Sequence, residues 1–249
     1  MPSREIRCAA SSLVAALMDG ADRPLEEAAR TRVSVHYETG DPRVPVLTLA
    51  TPSAVRLPAT IVAATLPPPG PATVGSGRFG HESSTWRVSR WWRPDRPVGL
   101  VPPCTDLSEL EADVESAVGV PEVSAAYDGL RPERLVGRGP GLTPAGDDVL
   151  AGALVAAHAT SDPRLGRWRS TTLDTLDSNA TTAVSRALLH HACDGYAAPE
   201  LARFLVAVCN GGDVAAARDR LLAVGHVSGA ALMTGALHTL STHRLEGAA

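Results

Sequence analysis

The stretch Gly139-Pro140-Gly141-Leu142-Thr143-Pro144-Ala145-Gly146-Asp147-Asp148 concentrates the residue types that chemistry needs. Thr143 followed by Pro144 is a helix start: threonine accepts from free backbone N–H groups, and proline at the first helical position loses nothing by lacking its own. The spacing predicts a helix beginning at Pro144. Gly137, Gly139 and Gly141 remove side chains ahead of it, and a helix N-terminus offers unpaired N–H donors and the positive end of a dipole, so an anion could rest there. The same residues also suit a plainer role, with the glycines making a tight turn and Asp147 and Asp148 complementing the dipole. Two carboxylates in a first helical turn could hold a divalent metal or orient a polar substrate. Adjacent helical residues diverge by about a quarter turn, so one of the pair would face a ligand and the other would bond nearby backbone; the sequence leaves open which.

A second glycine-flanked helix start is Gly225-His226-Val227-Ser228-Gly229, followed by the small residues Ala230, Ala231, Thr234 and Gly235 that allow close backbone approach. If the two starts share a cavity they make one anion pocket, with His226 at its rim as an acid or base; otherwise His226 is an exposed histidine beside a tightly packed helix. A helix over Leu173–Cys193 would place Asn179, Thr182, Arg186 and His190 on one face, either a third wall or a solvated surface. His36, His81, His158, His191, His238 and His243 have no metal-ligand spacing, and no nucleophile elbow occurs.

The elements that must position these residues fall into two parts. Ser3 can cap a helix whose apolar positions Ile6, Ala10, Leu13, Val14 and Leu17 recur every three or four residues up to Gly20. From Arg32 to Trp92 the period falls to two, with Val33, Val35 and Tyr37 alternating, apolar runs at Val44–Ala50 and Val55–Leu66, and Trp86 and Val88 alternating with polar residues; prolines and glycines break the runs. Four or more strands in a sheet or small barrel are expected. Beyond the proline-rich Pro94–Pro103, helical periods dominate: an acidic helix over Asp106–Val118, a nearly all-apolar one over Asp148–Ala159, then Pro199–Cys209, Asp213–Val224 and Ser228–Leu240. The expected fold is α+β, with a β-rich domain over residues 1–103 and a helical bundle over residues 104–249 that carries the glycine motif.

Composition excludes whole classes. The 249-residue chain contains 23 basic residues, all arginine, against 27 acidic ones, for a net charge of −4. Without lysine there is no Schiff base, no pyridoxal phosphate attachment and no Walker lysine. No run of positive charge suits nucleic acid or a membrane surface. Cys8, Cys104, Cys193 and Cys209 lack a Cys-x-x-Cys spacing, which argues against zinc and against a disulfide scaffold. With no signal-like or membrane-spanning segment legible, a cytoplasmic protein is expected.

Residues Gly139–Asp148, continued by Leu150, Ala151 and Gly152, resemble the signature of the AllH family, subunits of oxamate carbamoyltransferase, whose usual pattern is Gly-x-Gly-Pro-Gly-Leu-Thr-Pro-Ser-Gly-Asp-Asp; Ala145 replaces the serine. Thr181-Thr182-Ala183-Val184-Ser185 resembles the family's threonine-rich helix, and Gly225–Gly229 its last motif. Val33–His36 and Pro52–Val55 fit more loosely, so the resemblance is specific from Val136 onward. An aspartate usual shortly after the last Ser-Gly is Ala231 here. The resemblance implies exchange of a carbamoyl group between carbamoyl phosphate and a small anionic amide such as oxamate in purine-ring catabolism, together with partner subunits. On this reading Asp147, Asp148 and His226 are catalytic candidates. Arg138, Gly139, Gly141, Leu142, Thr143, Gly146, Thr182, Ser185, Arg186, Ser228 and Gly229 bind the anion: backbone N–H groups near Gly141 and Gly146 hold it, an aspartate orients the amide nitrogen, and Arg138 or Arg186 neutralises charge. The resemblance implies no cofactor; magnesium could be held by the paired aspartates. Ala231 also admits a non-catalytic accessory subunit, and the paired aspartates a metal-dependent phosphotransfer enzyme.

Overall fold

A computed structural model describes residues 4–82, 84–103, 107–115, 130–176 and 180–247. Ser3, Cys104 and Asn179 lie outside these residues, as do Asp106 and the end of the acidic helix expected to reach Val118. The chain divides into two compact units, Met1–Pro94 and Asp95–Ala249.

The first unit is a closed eight-stranded barrel. Its strands are β1 Arg4–Ser11, β2 Arg23–Arg30, β3 Ser34–Asp41, β4 Val44–Ala50, β5 Thr60–Ala63, β6 Ala72–Gly75, β7 Arg78–His81 and β8 Ser84–Trp92. They are ordered β1-β5-β4-β3-β2-β6-β7-β8 around the barrel. Parallel pairing of β1 with β8 closes it, and β4 runs parallel to β5. Inward residues fill the interior, centred on Tyr37, Phe79 and Trp86, whose rings lie 5.3 and 5.4 Å apart along the series. Tyr37 and Trp86 are among the alternating apolar residues read in the sequence; Phe79 between them is not.

Two expectations fail here. Arg4–Ser11 is a strand rather than part of a helix: Ile6, Cys8 and Ala10 share one face, and the strand finds partners on both edges, which outweighs a helical spacing that also fits Ile6 and Ala10. Helix appears only after the Ser11 hydroxyl accepts from the Leu13 N–H, as a 3-10 turn over Ser12–Val14 and then α1, Ala15–Asp19. The run Val55–Leu66 contributes only Thr60–Ala63 to the sheet; Pro58, within the run, cannot donate to the ladder.

The second unit is helical: α2 Ser108–Glu115, α3 Pro132–Leu135, α4 Ala145–Thr160, α5 Leu165–Leu176, α6 Ala183–Cys193, α7 Pro199–Asn210, α8 Val214–Leu222 and α9 Ser228–Gly247. Apart from His158, every residue of α4 is buried, as its composition requires. It lies against α9 with the two backbones almost touching. A methyl group on Gly152 would stand 2.0 Å from the Leu232 carbonyl oxygen, and one on Gly235 would stand 1.8 Å from that of Val149. Only glycine permits this approach at both points, so α4 and α9 form a fixed pair. No helix among the described residues is long and apolar enough to cross a membrane.

The single helix expected over Leu173–Cys193 is instead two. α5 ends at Leu176, and Thr182 stays extended (ψ 156°) to cap α6, its hydroxyl accepting from the Ser185 N–H at 3.1 Å. Thr182, Arg186 and His190 follow one another at four-residue spacing along α6 and so share one face; Asn179, the fourth residue expected there, lies outside the described residues.

Candidate functional site

The glycine-rich loop of residues 137–144 touches the starts of three helices. It runs directly into α4. The Thr182 hydroxyl donates to the Leu142 carbonyl at 2.7 Å, joining the loop to the start of α6. The hydroxyls of Thr143 and Ser228 are hydrogen-bonded at 3.1 Å across 85 residues of sequence, joining it to the start of α9. Three positive dipole ends therefore converge on one short segment.

The helix start differs in detail from the pattern read in the sequence. α4 begins at Ala145, with Pro144 extended at the cap (ψ 138°), where its ring has no acceptor to offer; Thr143 stands one residue before the cap and bonds Ser228 with its hydroxyl. The glycines also divide by role. Gly146 presses against α3: its N–H donates to the Arg138 carbonyl at 2.8 Å, and a methyl group there would meet the Leu135 carbonyl oxygen at 2.2 Å. Gly146 is thus packed against protein, and its N–H is not available to an anion. Gly229 is similarly closed, 1.9 Å separating a methyl group there from the Leu221 carbonyl oxygen. Around Gly141 no atom lies within 4 Å of such a methyl group, so this turn faces open space; Gly139 touches Ala145.

The two aspartates have separate surroundings, although both are buried. Asp147 is built into the protein: Oδ1 accepts from the Gly137 N–H at 2.7 Å and Oδ2 accepts from the Thr181 hydroxyl. Burial raises its pKa, while Thr181, Gly137 and Ser185 favour its ionised form and oppose that rise. Thr181 is absent from the site residues expected from the sequence, although it stands in the threonine-rich motif quoted there; the Thr181-Thr182 pair, whose second member caps α6, is the signal that could have found it. Truncating Asp147→Ala should cost roughly 2–3 kcal/mol of unfolding free energy, because a buried backbone donor and a hydroxyl lose their acceptor; urea unfolding of the variant against the parent measures it.

Asp148 faces the other way. Its Oδ2 is buried and has no hydrogen-bond partner among the described residues. Desolvation pushes its pKa up to about 7; the Ser228 hydroxyl opposes the rise, the neighbouring Asp147 charge adds to it, and the Thr143 hydroxyl opposes it. A carboxyl at this value changes its charge near neutrality, which is the condition for moving a proton there.

The remaining candidates lie at different depths. Ser185 is fully buried beside Asp147, and Arg186, one turn into α6, has a buried Nε with no hydrogen-bond partner among the described residues. Arg138 is exposed and its Nε donates to the Arg134 carbonyl at 3.1 Å. His226 is exposed, two residues before the start of α9. His190 belongs to a separate cluster, its ring 5.6 Å from that of His191 and nearly perpendicular to it. Among the described residues no group of three His, Cys, Asp or Glu side chains could hold a metal ion. A separate groove of about 570 Å³ lies between the start of the second unit and α7, with Arg96, Arg203 and Asn210 on its walls.

Residues 135–240, which contain the loop and the starts of all three helices, match the family model for oxamate carbamoyltransferase subunit AllH. This segment is AllH-like. No solved structure matches the chain. The AllH-like segment lies wholly within the helical unit, and the residues that join loop to helices, Leu142, Thr143, Thr182 and Ser228, all fall inside it.

Proposed function

We propose that this chain is a subunit of a carbamoyltransferase of the oxamate type, and that it binds a small anionic amide or carbamoyl phosphate where the glycine loop meets the starts of α4, α6 and α9. The observation that carries this reading is the joining of three helix starts through Leu142, Thr143, Thr182 and Ser228, since clustered N-termini favour anions. The open turn at Gly141 supplies the approach, and Arg186 supplies positive charge one turn inside α6. The matched family name supports the substrate class and a place in a complex.

Thermal denaturation in the presence of carbamoyl phosphate, oxamate, phosphate or magnesium-ATP tests it. Oxamate or carbamoyl phosphate at about a hundredfold above Kd should add about 2.7 kcal/mol, which for a domain of this size raises Tm by roughly 5–10 °C. A shift with magnesium-ATP alone would support phosphotransfer by the paired aspartates instead.

A second reading, an accessory subunit without its own turnover, is favoured by Ala231. The residue is fully buried in α9 at the position where the family resemblance leads one to expect an aspartate, so a carboxylate of that motif is missing from the interior. Binding of oxamate without any carbamoyl exchange by the isolated chain would support it.

A further inference from the structure

Resting on the reading that a small anionic amide binds at this loop, we propose that the two adjacent aspartates have divided roles: Asp148 meets the substrate, accepting from its amide N–H end, while Asp147 is a positioning residue that holds the loop in shape. The assignment follows from what each carboxylate already touches. Asp147 has an internal donor on each oxygen, Gly137 N–H on one and Thr181 hydroxyl on the other, and so has little left to offer a ligand. Asp148 has an oxygen that nothing in the described structure satisfies, although the residue is only 4% exposed. A buried acceptor without a donor is costly, and a ligand N–H removes that cost at the moment of binding. The Thr143 and Ser228 hydroxyls, which share one hydrogen bond, favour its charged form, yet neither is hydrogen-bonded to this Oδ2.

The pairing also selects the ligand's other end. Three helix starts repel a cation and attract an anion, so the favoured molecule carries a negative group and, within a few bonds of it, an uncharged nitrogen bearing hydrogen. A dicarboxylate of the same size would set a second negative charge against Asp148. In carbamoyl transfer from carbamoyl phosphate, the amide nitrogen forms a bond to the carbamoyl carbon, the bond from that carbon to the phosphate oxygen breaks, and inorganic phosphate leaves with the electron pair. The nitrogen sheds one proton, and Asp148 is placed to accept it; in the reverse direction the same carboxyl returns it. A carboxyl titrating at about 7 can do both near neutral pH.

The test compares oxamate with oxalate, which share a carboxylate and differ in amide against second carboxylate. Calorimetric titration of the full chain at pH 8 should show oxamate bound more tightly than oxalate by about tenfold or more, and Asp148→Asn should lose that preference. Asp147→Ala, which loosens the loop, should weaken both compounds by a similar factor, leaving their ratio in place, and should melt at a lower temperature. Retention of the full oxamate preference by Asp148→Asn would overturn the assignment while leaving the binding reading intact. If the parent protein binds neither compound, the binding reading fails, and the ligand-free proteins still decide the roles: Asp148→Asn melting as far below the parent as Asp147→Ala would show that both aspartates are structural.

Discussion

Asp148→Asn should melt higher than the parent at pH 8, and the difference should vanish near pH 4. The carboxyl ordinarily titrates at 3.8 and is raised to about 7 in the fold, chiefly by desolvation. The sign follows from proton binding. Below pH 4 the group is protonated in both folded and unfolded chains and costs nothing. Between about 4 and 7 the unfolded chain ionises while the folded one holds its proton, so stability falls as pH rises, and above 7 the loss is complete. About three pKa units at roughly 1.4 kcal/mol each is a penalty of order 4 kcal/mol. Asparagine recovers part of it, since its amide is also buried; a gain of about 2 kcal/mol corresponds to roughly 4–8 °C in the melting of the helical unit. Scanning calorimetry across pH 4–8 reads this directly. A variant less stable than the parent at pH 8 would mean that the carboxylate is satisfied internally.

The second large effect belongs to the contact that holds the site together. Gly235→Ala places a methyl group 1.8 Å from the Val149 carbonyl oxygen, and Gly152→Ala places one 2.0 Å from that of Leu232. In each case the atom in the way is backbone, so α4 and α9 must part by more than an ångström. Overpacking of this kind costs about 3 kcal/mol, or roughly 6–12 °C. Parting the helices also pulls Ser228 from Thr143, whose hydroxyls are 3.1 Å apart. Affinity for an anion at the loop should therefore fall together with stability in both variants. Unchanged melting would show that the helices separate at no cost, and the site would then lack the rigid base on which its geometry depends.

Part of this organisation is legible in the sequence because it is local. Thr182 caps α6 through a bond to Ser185 three residues away, the apolar run of α4 declares its own burial, and alternation at Val35, Tyr37 and Trp86 declares the barrel interior. What escapes is set by distant partners. β2 reads Arg-Pro-Leu-Glu-Glu-Ala-Ala-Arg, a composition that favours helix, and is a strand because β3 and β6 pair with it on either side. The N-terminal segment is a strand for the same reason. Thr143 reads as a cap, and its hydroxyl instead bonds a residue 85 positions later. The choice between Asp147 and Asp148 is invisible in a sequence where they are adjacent, because it depends on Gly137 and Thr181, which only the folded loop brings to Asp147.

Where oxamate sits is the question on which the rest turns, and a crystal structure of the chain with oxamate answers it. The expected result is the ligand at the glycine loop, its carboxylate toward the starts of α4, α6 and α9 and its amide nitrogen within hydrogen-bonding distance of Asp148 Oδ2. Oxamate bound instead in the groove lined by Arg96 and Arg203, with the loop empty, would contradict it.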